Sequence, residues 1–319
     1  GLMPADACSS LDALPEHLDG CTVDCVPSRQ AADEFSFLAP LSYLRKARNS
    51  EDGEALLRQV LPRAEELLDV PGFSRDPLLE SPQENDGLIE KYPGRLLLMV
   101  TQACSGHCRF CFRRHFLDTP IGTGRIMAAF RERMARKGDI SELILSGGDP
   151  LVLSDRRIEA WLQLAGEYPQ LQRIRIHTRE PVFSPERITP GRADVISASP
   201  LPVIMVVHVN HAAELDAETA EALARLKRAG AMLLTQTVLL RGVNDSADRL
   251  ADLSERAVEC GMVPYYLHQL DRVAGAAHFE VPREKGLEIV EKLRTRLPGY
   301  MVPRFVEEVT GEAGKRPVA

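Results

Sequence analysis

Leu96-Leu-Leu-Met-Val-Thr101 runs straight into Gln102-Ala-Cys104-Ser-Gly-His-Cys108-Arg-Phe-Cys111, an apolar stretch that ends in a loop carrying three cysteines. The apolar run reads as a short buried strand. Three thiolates on one tight loop can hold three corners of a cubane iron–sulfur cluster. No fourth cysteine lies nearby, so one iron is left open to a small molecule, whereas an electron-carrying cluster takes four protein ligands. A zinc site is the competing reading. Zinc favours paired C-x2-C elements with a second pair or histidines downstream, and His107 or His115 would have to complete the tetrahedron.

Outward from this loop, composition narrows the possibilities. The chain has 319 residues, 44% of them apolar, with a formal net charge of −7 and a pI near 5.7. That is an ordinary globular balance, and the absence of a long basic block gives no sign of a nucleic-acid partner. No apolar stretch approaches the ~18 residues that span a bilayer, so no membrane association is expected. The N-terminal residues lack the basic-then-apolar pattern of a secretory leader. Seven cysteines, an odd number with three clustered, fit a reducing compartment, and the expected location is the cytoplasm. Cys8, Cys21 and Cys25 lie far from the triplet and read as ordinary thiols, although Cys21 and Cys25 are spaced C-x3-C.

Residues 1–85 contain helical spacing, as in Glu54-Ala-Leu-Leu-Arg-Gln-Val-Leu61 and Ala64-Glu-Glu-Leu-Leu68, and no strand-like run; they read as an N-terminal helical arm. From Leu96 the rhythm changes. Apolar runs at 96–101, 142–146, 173–178, 203–209, 232–238 and 263–268 alternate with amphipathic stretches such as 156–168, 217–229 and 245–260. This is the pattern of repeated βα units with parallel strands. The expected fold is α/β: a partial, open (β/α)6 TIM-like barrel over 86–285, followed by a C-terminal helix and a short extension over 286–319. Spacing alone leaves a doubly wound sheet open as an alternative. The barrel is preferred because the unusual residues fall at the C-terminal ends of the strands, where βα barrels build their sites. The cysteines follow strand one, Ser146-Gly-Gly-Asp149 strand two and His177-Thr-Arg179 strand three. His208-x-Asn210-His211 closes strand four, Gln236 lies in strand five, and His268-Gln-Leu-Asp271 follows strand six.

Ser146, Gly147, Gly148 and Asp149 form a loop whose glycines let backbone amides come close to a ligand, with Asp149 able to accept from an amine; a tight turn with a helix cap explains the same residues. His208, Asn210 and His211 could be metal ligands, a hydrogen-bonding cluster or core histidines; histidines on apolar strands are usually satisfied structurally, and the H-x-N-H spacing does little to change that. Lys315, in Gly311-Glu-Ala-Gly-Lys-Arg-Pro317, is either a solvated tail residue or an amine placed for pyridoxal phosphate.

Together these segments resemble the lysine 2,3-aminomutase family of radical S-adenosylmethionine (SAM) enzymes that use pyridoxal 5′-phosphate (PLP). The match runs from about Pro71 to Lys315. It includes Lys91-Tyr-Pro-Gly-Arg95, Cys111-Phe-Arg-Arg-His115, Leu145-Ser-Gly-Gly-Asp149, Arg187-Ile-Thr-Pro190, His208-Val-Asn-His211 and Val238-Leu-Leu-Arg-Gly-Val-Asn-Asp245. Within the family the chain is most similar to the branch that supplies (R)-β-lysine for elongation factor P. That likeness rests on residues 108–116, 175–179, 265–268 and 275–279, and on the chain stopping soon after Lys315, where catabolic relatives carry a further segment.

The resemblance implies a 4Fe-4S cluster on Cys104, Cys108 and Cys111. It implies SAM against the loop of Ser146, Gly147, Gly148 and Asp149 and against His208 and Gln236, and PLP on Lys315 with Arg95 and Tyr92 as partners. Arg113 would take the substrate carboxylate, for which a bidentate fork is suited. Asp271 and Glu308 would take the distal ammonium of L-lysine; Glu308 stands where free-lysine mutases have Asp. An anionic substrate such as glutamate would face these acids at a cost of several kcal/mol. The implied partners are a reductant such as flavodoxin or ferredoxin, a functional link to elongation factor P and its lysyl ligase, and a second copy in a homodimer. Competing functions are a free-lysine mutase of catabolism or secondary metabolism, a radical SAM enzyme without PLP acting on a peptide or RNA, and a zinc-stabilised binding module.

Overall fold

The apolar runs fold as parallel strands, each paired with the next in the chain. In the computed structural model, residues 6–18, 26–81, 86–117, 121–136 and 139–319 are described; Cys21 and Cys25 lie outside them. Strands β1 (Arg95–Thr101), β2 (Glu142–Gly147), β3 (Arg173–Thr178), β4 (Val203–His208), β5 (Met232–Val238) and β6 (Val263–His268) alternate with helices α1 (Thr123–Ala135), α2 (Asp155–Gly166), α3 (Pro190–Ser197), α4 (Ala217–Arg228), α5 (Ala247–Glu259) and α6 (Arg283–Arg296). A seventh parallel strand, β7 (Arg304–Glu307), then pairs with β6, an addition the sequence analysis does not anticipate. Two-residue antiparallel strands finish the edges, Leu88–Ile89 on β1 and Arg316–Pro317 on β7. The division drawn at residue 285 falls inside α6, and the sheet continues past it.

Strict sequential order with parallel pairing is that of an α/β barrel, and among the described residues β1 and β7 share no ladder, so the barrel is open. The sheet is nonetheless curled, because its two edges meet through side chains. Lys91, just before β1, pairs with Glu308, just after β7, at 2.9 Å. Period-two alternation decides what faces inward. In β3, Ile174 and Ile176 are buried, while Arg175 and His177 line the interior cavity. The outward residues pack beneath the helices in one core that includes the fully buried Trp161, set edge-on to Phe130. Side-chain caps start several helices where Ser, Thr or Asp stands at the boundary: Thr189 accepts from Arg192 N, Asp216 from Thr219 N and Ser246 from Arg249 N.

The arm contains short helices at Arg29–Glu34, Leu41–Arg48 and Gly53–Arg58. It packs on the loops that leave the strands rather than on the strands themselves. Lys46 Nζ, buried, donates to Val182 O, Glu214 O and Thr219 Oγ1. Ser42 Oγ donates to Phe183 O. Cys8 is buried in the core of this arm, as an ordinary thiol would be.

Candidate active site

One cavity of about 220 Å³ opens at the C-terminal ends of the strands. Its lining includes every residue the sequence analysis assigns to a cluster, cofactor or substrate: Cys104, Cys108 and Cys111; Tyr92 and Arg95; Arg113; Ser146, Gly147, Gly148 and Asp149; His208 and Gln236; Asp271, Glu308 and Lys315. Separations in sequence of more than two hundred residues close here because each loop leaves the same end of the barrel.

The cysteine loop is fastened from below by the arm. Arg109, fully buried between Cys108 and Phe110, puts its Nε and Nη2 on the Glu66 carboxylate and its Nη1 on Phe35 O. Arg114 Nη2 reaches the same carboxylate at 2.6 Å. Backbone bonds from His107 N to Leu38 O and from Arg109 N to Gln59 O complete the attachment. Cys108 Sγ accepts a hydrogen bond from Arg179 Nη1 at 2.8 Å. The rest of that guanidinium is held by Gln59 Oε1 and Glu214 Oε1, over the Phe183 ring. Burial pushes all three thiols above their ordinary range, Cys111 to about 11. Iron binding is therefore tied to proton release at each of them.

The donor set fits a cluster better than a single metal ion. Among the described residues no group of three or more His, Cys, Asp or Glu side chains could hold one ion, whereas cubane ligands each bind a different iron. The histidines needed for zinc are engaged elsewhere. His107 stacks on Phe35 with its Nδ1 2.8 Å from Ser36 O, and His115 Nε2 lies 3.1 Å from Ala274 O. Neither histidine lines the cavity that the three thiols share, so neither brings them a fourth ligand.

The glycines of the second loop serve a different neighbour from the one expected. A Cβ on Gly147, whose φ is +114°, would sit 2.2 Å from Thr101 O, and one on Gly148 would sit 2.3 Å from Ala103 O. The close approach is to the root of the cysteine loop, and Gly148 N and Asp149 N donate to those same carbonyls. The Asp149 carboxylate is likewise committed within the protein. It accepts from Leu151 N, Thr178 Oγ1, Arg179 N and Glu180 N, tying β2 to β3. These four donors are those of the turn-and-cap reading, and the carboxylate also borders the cavity. The H-x-N-H cluster divides in the same way. His208 faces the cavity, kept neutral by burial, its pKa pushed down to about 3. Asn210 bridges Gln59 and Val238 N, and His211 Nδ1 accepts from Ala213 N.

On the far side, Lys315 Nζ lies 2.5 Å from Glu308 Oε2. Glu308 also receives the Tyr92 hydroxyl and Lys91. Burial opposes ionisation of Glu308, but the Lys315 ammonium and these donors outweigh it and bring its pKa down to about 2. Asp271 has no ion-pair partner within 4 Å among the described residues. Burial pushes its carboxyl up to about 7, although Lys315 pulls the other way. Arg95 lies over the Tyr92 ring at 5.5 Å. Buried nitrogens on the cavity wall have no hydrogen-bond partner among the described residues: the donors Nε of Arg113 and Arg175, and Nε2 of His177 and His268. Orphaned donors beside a lysine suit an anionic cofactor that a lysine amine can hold.

Sequence reasoning missed Glu80, which pairs with Arg113 at 2.6 Å and Lys91 at 3.4 Å, and it missed Glu66, Gln59 and Glu214. The one signal available for Glu80 was a glutamate beside an apolar Pro77-Leu-Leu stretch in an otherwise polar loop.

The Radical SAM superfamily profile matches residues 98–254. The L-lysine 2,3-aminomutase of Escherichia coli is 40% identical over 291 residues, covering 91% of this chain and 85% of that protein. The L-lysine 2,3-aminomutase of Haemophilus influenzae is 38% identical over 283 residues, 88% of this chain and 84% of that protein. A solved radical SAM methyltransferase from Sphaerobacter thermophilus aligns over 71% of each chain at 18% identity, with a TM-score of 0.49.

Proposed function

The chain belongs to the L-lysine 2,3-aminomutase family of radical SAM enzymes, and from that premise we propose that it converts L-α-lysine to (R)-β-lysine with PLP held on Lys315. The family places the chain among isomerases that use a 4Fe-4S cluster and SAM. The observation that carries the finer reading is that three cluster thiols, a lysine amine, a guanidinium and an unpaired carboxyl line a single cavity. When bound, cluster and SAM would supply homolytic hydrogen abstraction, and PLP would supply a conjugated ring that spreads the unpaired electron while nitrogen moves from Cα to Cβ of the substrate.

The protein's part is to hold, orient and exclude. Cys104, Cys108 and Cys111 hold the iron, with Arg179 as the charged donor on the Cys108 sulfur. His208 and Gln236 stand opposite each other on β4 and β5 and form the wall for SAM. Arg113, on the cavity wall, takes the α-carboxylate of lysine. Asp271 and Glu308 receive the distal ammonium, and a cation arriving there favours the ionised form of Asp271. Lys315 sits on Glu308 Oε2, so its engagement by the cofactor would free that oxygen for the substrate. The elongation factor P role is supported by the branch-like segments at 108–116, 175–179, 265–268 and 275–279. A flavodoxin or ferredoxin would supply the reducing electron.

The test is an anaerobic assay with reconstituted cluster, PLP, SAM, dithionite and L-lysine, the products resolved by chiral chromatography. (R)-β-Lysine is the expected product. The (S) form would move the protein to the free-lysine branch, and no β-lysine with SAM cleavage intact would overturn the substrate.

A further inference from the structure

The two groups that would grip opposite ends of the substrate are joined by a chain of ion pairs. Arg113 Nη2 lies 2.6 Å from Glu80 Oε2, and Lys91 Nζ lies 3.4 Å from Glu80 Oε1. The same Lys91 Nζ lies 2.9 Å from Glu308 Oε1. The charges alternate along the chain; Glu80 is buried and the other three are largely shielded, their side chains from 6% exposed at Glu308 to 16% at Lys91. In such surroundings each charge depends on its neighbours, and removing one leaves the next uncompensated.

The backbone is arranged to bring Glu80 inward. Leu79 has a φ of 54° and is 67% exposed, while the glutamate beside it is buried. An apolar side chain turned outward in the left-handed region, next to a carboxylate turned inward, reverses the usual preference of both residues. Local strain of this kind persists where surrounding contacts over-determine it. Here the Asp76 carboxylate accepts from both Glu80 N and Ser81 N. Ser74 exchanges backbone hydrogen bonds with Arg272 and Ala274, pinning the segment to the loop that carries Asp271.

We propose that Glu80 and Lys91 are positioning residues that set the distance between the carboxylate-binding Arg113 and the ammonium-binding Glu308, and thereby select the length of the amino acid. The inference rests on the lysine reading above and goes beyond it, since neither Glu80 nor Lys91 need touch the substrate. Arg113 has three of its contacts fixed, to Glu80 and to Ser146 Oγ and Gly147 O, so its position follows Glu80. Glu308 is held by Lys91 and Tyr92 once Lys315 leaves. A substrate one methylene shorter than lysine can satisfy one end or the other but not both.

The test compares L-lysine with L-ornithine, its homologue shorter by one methylene. Anaerobic holoenzyme containing cluster, SAM and PLP is titrated with each amino acid, following the visible absorbance of the bound PLP. Wild type, Glu80→Gln, Lys91→Met and Lys91→Arg are compared. A general loss of grip lowers both affinities together; a loss of spacing changes their ratio. Wild type should favour lysine, and Glu80→Gln and Lys91→Met should each lower the lysine-to-ornithine ratio by about tenfold, the discrimination one methylene carries in a fitted site. Lys91→Arg, which keeps the charge, should restore most of it. An unchanged ratio in whichever of Glu80→Gln and Lys91→Met retains its cofactor absorbance overturns the inference alone. Wild type that binds neither amino acid, or prefers ornithine, overturns the lysine reading and this inference with it.

Discussion

Single residues in this cavity have effects that can be separated from one another. Lys315→Ala should abolish the visible absorbance of bound PLP while leaving the iron–sulfur absorbance intact; retention of the PLP band would move the cofactor to another amine. Arg179→Gln removes the positive donor from the Cys108 sulfur. Because a donor and a positive charge favour the more negative, reduced cluster, the midpoint potential should fall, as an electron paramagnetic resonance titration would register. Asp271 makes a pH prediction for the cofactor-free protein. Its folded pKa, about 7, lies above the ordinary 3.8 because of burial. The folded state therefore binds a proton that the unfolded state has already lost, and this contribution to stability is fully present below about pH 4 and lost as pH rises through 7. Asp271→Asn should flatten the fall in Tm between about pH 4 and 7; an unchanged slope would assign that fall to another group. None of this residue-level electrostatics is visible in the sequence. Asp271 and Glu308 can be picked out by family likeness, but Glu80 and Glu66 sit in unremarkable polar stretches, and their partners are distant in the chain.

At the scale of elements, what was legible was what is local. Strands β1 to β6 showed through because a parallel strand buried on both faces needs an apolar run. The short β7 did not: Arg304-Phe-Val-Glu307 has two apolar residues between two charges, too few to read a period. The arm was recognisable as helical, but its task depends on long-range contacts. It carries the carboxylate that neutralises two arginines of the cysteine loop. Glu66→Gln should cost about 3–5 kcal/mol, since it leaves Arg109 and Arg114 buried without their anion. It should also reduce the iron retained after reconstitution, measured by iron analysis beside a thermal melt. Full iron content in a destabilised variant would limit the arm to a structural role.

At the scale of the whole molecule, the iron site and the arm behave as one unit and α6 as another. Chelating the iron should raise hydrogen exchange at the amides of His107 and Arg109, whose acceptors are Leu38 and Gln59 in the arm, and leave the centre of α6 unchanged. Equal deprotection of both regions would mean that the barrel opens as a single body. The order of these groups along the chain adds a temporal consequence. Arm and thiols are synthesised first, while Glu308 and Lys315 follow every other strand of the barrel. Since N-terminal portions of a chain generally fold as they emerge, the half that carries the three thiols can be organised on the ribosome while Lys315 is still untranslated. On the proposed assignment of PLP to Lys315, that cofactor can be held only after the last strand of the sheet has emerged, later than the three thiols.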